Sequence, residues 1–260
     1  MPVIKLPKQE LRLRVFAGPN GSGKSTIIKA IKDTKIGGIP IDFGYYINAD
    51  DITQSLVNGK FSFYSFKLKI SNLSFLEFAK TSGLLGKEFT ESHFVESYTI
   101  QGNSIVLIDK IHADKIGQII ARYLREAMIR LKRRFSFETV FSHESNLDIM
   151  ERANNAGYKV YLYFISTESP EINKYRVALR VAENGHDVPP QKIEERYYRS
   201  LKLMYKASQL AYQAFFFDNS KESAPFELVA HFKIIRNKKK WDKIEKHKVA
   251  HWFKKYYINK

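Results

Sequence analysis

The sequence predicts an α/β protein with a mainly parallel sheet, and three observations carry that expectation. Short apolar runs alternate with amphipathic stretches along most of the 260 residues, which is the pattern of strand-helix units. A glycine-rich turn joins the first apolar run to the first amphipathic stretch. No internal repeat with a period of roughly 20 to 50 residues is visible, so solenoids and propellers drop out. Composition agrees. With 44% hydrophobic, 14% aromatic and 27% charged residues, the chain can fill a core and lies well away from the disordered class. The absence of cysteine excludes a disulfide framework, a thiolate zinc site and a cysteine nucleophile. Apolar runs such as residues 160–165 are too short to span a bilayer, and no charged n-region precedes an apolar core at the start. The expectation is a soluble, cytoplasmic protein with no membrane partner.

Taken in order, residues 11–17 alternate and read as the first strand, and the stretch from Lys24 to about Asp33 reads as the first helix. Residues 45–49 form a second short strand closed by Asp50 and Asp51, and a helix follows that breaks at Asn58-Gly59. The texture then changes. Over residues 59–112 aromatics alternate (Phe61, Phe63, Phe66), and Gln101-Gly102-Asn103 joins two apolar runs as a hairpin would. This segment is expected to be a β-rich insertion within a single domain spanning 1–260. Residues 113–134 carry apolar side chains at helical spacing. Strands at 135–141, 160–166 and 214–217 alternate with helices at 147–156, 170–183 and 190–212, the last two opening on prolines.

The net charge is +16. Residues 233–260 alone hold eleven basic and two acidic residues, and 221–260 is expected to be a basic C-terminal extension. Such a field draws anionic partners: nucleotides, nucleic acid or an acidic protein. The plainer reading of the tail is a lysine-rich solvated helix.

Chemistry enters at Gly18-Pro19-Asn20-Gly21-Ser22-Gly23-Lys24-Ser25-Thr26, which satisfies G-x-x-x-x-G-K-[ST] between a strand and a helix. Glycines let the backbone curl so that its N–H groups face phosphate oxygens, and the following helix adds its positive end. Lys24 is then expected to reach the β- and γ-phosphates of ATP, and the Ser25 hydroxyl to ligate Mg²⁺. The fold expected is therefore a P-loop NTPase-type three-layer α/β fold with a mainly parallel sheet.

This loop resembles those of ABC-type ATPases and of the zeta-toxin family of small-molecule kinases. The ABC pattern expects a Leu-Ser-Gly-Gly-Gln-like signature, which the chain lacks. Its apolar strand ending in acid is imitated only by Ile105-Val106-Leu107-Ile108-Asp109, which leaves Asp109 a minor candidate metal ligand. The chain is similar to the zeta-toxin family at further points in family order: Ile47-Asn48-Ala49-Asp50, Phe137-Glu138-Thr139, Gly157-Tyr158-Lys159-Val160, Arg176, Arg180, Gly185-His186-Asp187, Arg196-Tyr197, Arg199-Ser200-Leu201 and Phe217-Asp218-Asn219-Ser220. It looks most like the chromosomal branch often labelled a predicted ABC-type ATPase.

The resemblance implies Asp50 as general base and Arg199 as a phosphate-clamping arginine; on residue chemistry alone Asp50 or Asp51 could simply cap the following helix, and the reading taken is Asp50 as the base with Asp51 as the cap. The resemblance also implies Glu138, with Thr139 beside it, at the acceptor substrate. The loop position of the family's first clamp holds His186 here, so Arg196 or Arg180 stands as the substitute. His186 either touches substrate or packs beside Pro189. Glu138 within an apolar strand needs a partner on physical grounds alone, and a buried ion pair is the other reading. The activity implied is ATP-dependent phosphorylation of a nucleotide sugar such as UDP-N-acetylglucosamine, held off by a small antitoxin protein. A polynucleotide kinase or nucleic-acid-dependent ATPase is the alternative, with Trp241, Trp252, Tyr256 and Tyr257 stacking bases.

Overall fold

The computed structural model describes residues 10–183, 187–222, 226–243 and 249–260. It divides into two compact units, Met1–Gly44 with Ser136–Lys260, and Tyr45–Phe135. In chain order the first unit opens with β1 (Arg12–Ala17), α1 (Lys24–Asp33) and a two-rung hairpin, β2 (Lys35–Ile36) and β3 (Ile39–Pro40). The second unit contains β4 (Tyr45–Ile47), α2 (Ala49–Val57), β5 (Phe61–Ser62), a 3-10 turn (Phe63–Phe66), α3 (Asn72–Thr81), α4 (Glu91–Glu96), β6 (Tyr98–Gln101), β7 (Ser104–Leu107) and α5 (Ala113–Arg130). The chain returns to the first unit along β8 (Phe135–Thr139) and continues through α6 (Ser145–Asn155), β9 (Lys159–Ser166), α7 (Pro170–Ala182), α8 (Pro190–Gln209) and β10 (Gln213–Asp218). It ends with β11 (Glu227–Ile235), β12 (Lys238–Trp241) and α9 (His251–Phe253), which runs into a π-helical turn (Lys254–Ile258).

In the first unit the strands are ordered β12-β11-β10-β9-β1-β8. The β1–β9 and β9–β10 pairs are parallel, and β11 and β12 add an antiparallel edge. The central strands read as apolar runs because both of their faces are covered. On one face Leu13, Val15, Val160, Leu162, Phe164, Ala214, Phe216 and Phe232 are all fully buried. On the other, cross-strand rings stack from Phe16 to Tyr163 to Phe215 to His231 at 4.8, 4.9 and 4.3 Å, an arrangement that adds to area burial.

The basic tail is not a solvated helix. β11 and β12 form a hairpin whose turn residues Arg236 and Asn237 both have positive φ (51° and 60°), as a two-residue turn matched to strand twist requires. Lysines 238, 239 and 240 occupy the edge strand, where charge opposes pairing with other chains. Of the tail aromatics, Trp252 is not available to bases, while Trp241 stays 38% exposed. Trp252 and Phe253 are 2% and 1% exposed, and Trp241 and Tyr257 pack against Phe216.

Other boundaries differ for local reasons. α5 stops at Arg130 rather than 134 because Lys132, at φ 51°, closes it: Lys132 N–H donates to Ile129 O and Arg133 N–H to Met128 O, the two bonds of a Schellman ending. α8 gives way before Tyr212, whose N–H joins the sheet at Val160 O.

In the second unit β5, β7 and β6 make a small antiparallel sheet beside an aromatic cluster that includes Phe61, Phe63, Phe75, Phe94, Tyr98 and Tyr123. The compact body runs from residue 45 to 135, wider than 59–112, and helices share it with the strands. α2 lies close against α5 because residue 117 is glycine: a Cβ there would stand 2.2 Å from Thr53 Oγ1 and 3.3 Å from Ala49 O.

Candidate nucleotide site

β1 delivers the chain to Gly18, and the loop turns back at once, with Ser22 N–H donating to Pro19 O at 3.3 Å. Gly23 sits at the head of α1 in the left-handed region (φ 86°, ψ 25°), which a glycine adopts without steric cost. Close approach explains the glycines more sharply. A Cβ on Gly18 would meet Ile165 O at 2.1 Å, one on Gly21 would meet Asn173 O at 2.5 Å, and one on Gly23 would meet Asn219 Nδ2 at 2.1 Å. The loop is thus fitted against β9, α7 and the turn after β10.

Lys24 is 8% exposed. Its Nζ donates to Gly18 O at 3.0 Å and Pro19 O at 3.1 Å, and stands 3.9 Å from Glu138 Oε1. Glu138 is on β8, which neighbours β1 in the sheet, so its carboxylate and the lysine balance each other's charge in a site with little water. The Ser22 hydroxyl and the Asn173 Nδ2 are buried and find no hydrogen-bond partner among the described residues, although Asn173 Oδ1 accepts from the Thr167 hydroxyl; such orphans are uncommon unless something else completes them. A phosphate chain fits such a cradle. Ser25 and Thr26 are exposed at the start of α1. Among the described residues no group of three or more metal-ligating side chains is assembled by the protein alone.

Arg196, on α8, reaches this loop: its Nη1 donates to Asn20 Oδ1 at 3.4 Å. Arg199 is turned outward, 61% exposed and paired with Glu195 at 3.1 Å. The Thr139 hydroxyl accepts from Phe141 N–H and donates to Asn146 Oδ1, which shapes the turn after β8. Gly185 and His186 lie outside the described residues. In the second unit, Asp50 is exposed in the first turn of α2. The cap is Asn48, not Asp51: the helix begins one residue after it, and its extended backbone (φ −128°, ψ 124°) lets its side chain accept from Asp50 N–H at 2.9 Å. Asp109 accepts from Ile111 N–H and closes a local turn.

Two contributors escape sequence reasoning. Asn173 and Asn219 support the loop from helices and strands far away in the chain, and only Asn219 lies in a stretch that the family resemblance marks. Tyr197 is a third structural neighbour: its hydroxyl donates to Thr167 O at 2.7 Å, and burial pushes its pKa up, so it stays a neutral donor.

No protein-family model matches the chain, and no curated protein matches it significantly. Solved structures do. A crystal structure of AvrRxo1-ORF1:AvrRxo1-ORF2 with sulphate ions aligns with a TM-score of 0.55 at 16% identity, covering 95% of this chain and 63% of that one. The same pair crystallised with ATP aligns with a TM-score of 0.52 at 14% identity, covering 88% and 61%. The likeness shows a shared α/β fold, and this chain spans a little under two thirds of that chain's length. Among the described residues no helix is long and apolar enough to cross a membrane.

Proposed function

We propose that the protein is an ATP- and Mg²⁺-dependent phosphotransferase that acts on a hydroxyl of a small anionic molecule, a nucleotide sugar such as UDP-N-acetylglucosamine being the first candidate. The observation that carries this reading is the buried Lys24 inside a glycine loop that also keeps a buried hydroxyl without a partner. The relative crystallised with ATP supports the choice of nucleotide.

Phosphoryl transfer asks mainly for positioning and for cations against spreading charge. Loop amides and Lys24 bind the phosphates, and Arg196 adds a guanidinium fork suited to phosphate. Mg²⁺, held through Ser25, would neutralise phosphate charge. In our reading the Asp50 carboxylate takes the proton from the acceptor hydroxyl. The acceptor oxygen bonds to the γ-phosphorus as the bond from that phosphorus to the β,γ-bridging oxygen breaks, and ADP leaves. Glu138 has two roles open to it, holding the acceptor or steadying Lys24, and its 3.9 Å separation from Lys24 favours the second in the free protein. A protein partner is part of the reading, because the relative's crystals hold a second chain; the charge of +16 suits an acidic one, such as an antitoxin. The cytoplasm, with its ATP, is where such an enzyme would work.

Incubation with γ-labelled ATP and a panel of nucleotide sugars tests the proposal. Label should pass to a sugar hydroxyl with wild-type protein and not with Asp50→Asn or Lys24→Met. Transfer that survives both substitutions, or no transfer to any acceptor in the panel, would count against it.

A further inference from the structure

Three walls fit the P-loop. Two are backbone, Ile165 against Gly18 and Asn173 against Gly21, and the third is a side chain, Asn219 against Gly23. Asn219 Nδ2 donates to Ser22 O at 3.0 Å. Ser22 O and Gly23 N–H belong to one peptide plane, and no peptide bond among the described residues is cis. In a planar trans peptide the two groups point to opposite sides. Drawing the Ser22 carbonyl toward Asn219 therefore turns the Gly23 N–H away from it. Gly23 opens α1, so that N–H is among those a helix start offers to an anion.

Asn219 is itself held from several sides. Its N–H donates to Ser166 O at 2.9 Å, and its carbonyl accepts from Arg176 Nη1 at 2.6 Å. The preceding residue, Asp218, accepts from Trp252 Nε1 and from the Ser220 hydroxyl, each at 2.8 Å, and from Ser220 N–H at 3.2 Å. Glu168, from the turn after β9, accepts from His251 N–H at 2.8 Å and Trp252 N–H at 3.3 Å, while its own N–H donates to the Ser220 hydroxyl at 2.8 Å. The first turn of the C-terminal helix is thus bound to the turn that carries Asn219, and Trp252 is buried at the junction.

We propose that Asn219 is a positioning residue for phosphate recognition, aiming the Gly23 amide at the anion, and that the C-terminal helix holds Asn219 in place through Trp252 and Asp218. The inference rests on the nucleotide-binding reading above and adds a part to it. The tail then serves the loop from behind, as scaffold, in addition to carrying charge.

The test titrates ATP and inorganic pyrophosphate separately into the full chain as wild type, Asn219→Ala, Asn219→Asp and Trp252→Phe, with thermal midpoints measured alongside. Asn219→Ala should bind both ligands roughly tenfold more weakly, the worth of one lost hydrogen bond to a charged ligand. Asn219→Asp should bind still more weakly, since its carboxylate faces the Ser22 carbonyl. Trp252→Phe, which keeps an aromatic but smaller ring and loses the donor, should fall between Asn219→Ala and wild type. A merely structural role would lower the midpoints and leave anion affinity as in the wild type, and that result overturns the inference. If Asn219→Ala does not fold, Asn219→Ser carries the same comparison. Pyrophosphate binding that depends on Asn219 in a protein that ignores ATP would sink the nucleotide reading and keep this one. ATP binding indifferent to Asn219 would do the reverse.

Discussion

Lys24 is bonded to two carbonyls of its own loop, so under the proposed function an incoming triphosphate would replace neutral oxygen atoms with charged ones at little reorganisation. Lys24→Met keeps much of the buried stem and removes the charge; transfer should drop by roughly 10²-fold or more, as when one preorganised charge-stabilising group is lost, measured with labelled ATP. Gly23→Ala should fail differently. The new methyl needs the space of Asn219 Nδ2, so anion affinity should fall even though the lysine is intact. Tyr197→Phe is a control on stability alone: it removes the shorter of two bonds to Thr167 O, which keeps the Ser166 hydroxyl at 3.3 Å, and should cost about 1 kcal/mol. A lower urea midpoint at unchanged m-value would confirm it.

Elements carry predictions of their own. Gly117→Ala forces α5 away from α2 at Thr53, an overpacking expected to cost about 1–3 kcal/mol. Combining it with Thr53→Ala should return most of that loss in chemical denaturation, because the two changes share one contact. β1 and β9 are also tied by Glu10, whose carboxylate meets Lys159 and Arg12. Lys159 first of all holds the Glu10 pKa below 4.5. A depressed carboxyl pKa contributes stability that is present above the unfolded value and lost as pH falls through the folded one. Glu10→Gln should therefore flatten the acid limb of stability below about pH 4.5, and only slightly, since the pair is over a third exposed and solvent screens it. Urea midpoints between about pH 3 and pH 6 would show the difference. Legibility also varied at this scale. Strong periodicity and ordinary signals made α1, α2, α7, β9 and the β6–β7 hairpin readable. Where left-handed turns fall on Lys132, Arg236 and Asn237 in place of glycine, no stop signal stands in the sequence, so helical periodicity runs past the end of α5 and nothing marks the β11–β12 hairpin.

At the scale of the molecule, the candidate site was legible where one segment holds it and obscure where the fold assembles it. Gly18 to Thr26 is contiguous, so spacing alone suggested its chemistry. Asn173 and Asn219 lie more than a hundred residues downstream, and of the two only Asn219 falls in a stretch the resemblance marks; spacing alone does not show that α8 turns Arg196 toward Asn20 and Arg199 toward Glu195. Charge of +16 marks a taste for anions without choosing among them. Burial of Trp252 removes an aromatic support for the nucleic-acid reading. The central claim is that this chain grips a nucleotide by its phosphates, and calorimetric titration of ATP with Mg²⁺ into wild-type and Lys24→Met protein addresses it most directly. The account predicts saturable one-site binding by the wild type that the substitution abolishes; equal heats from both proteins, or none from the wild type, would contradict it.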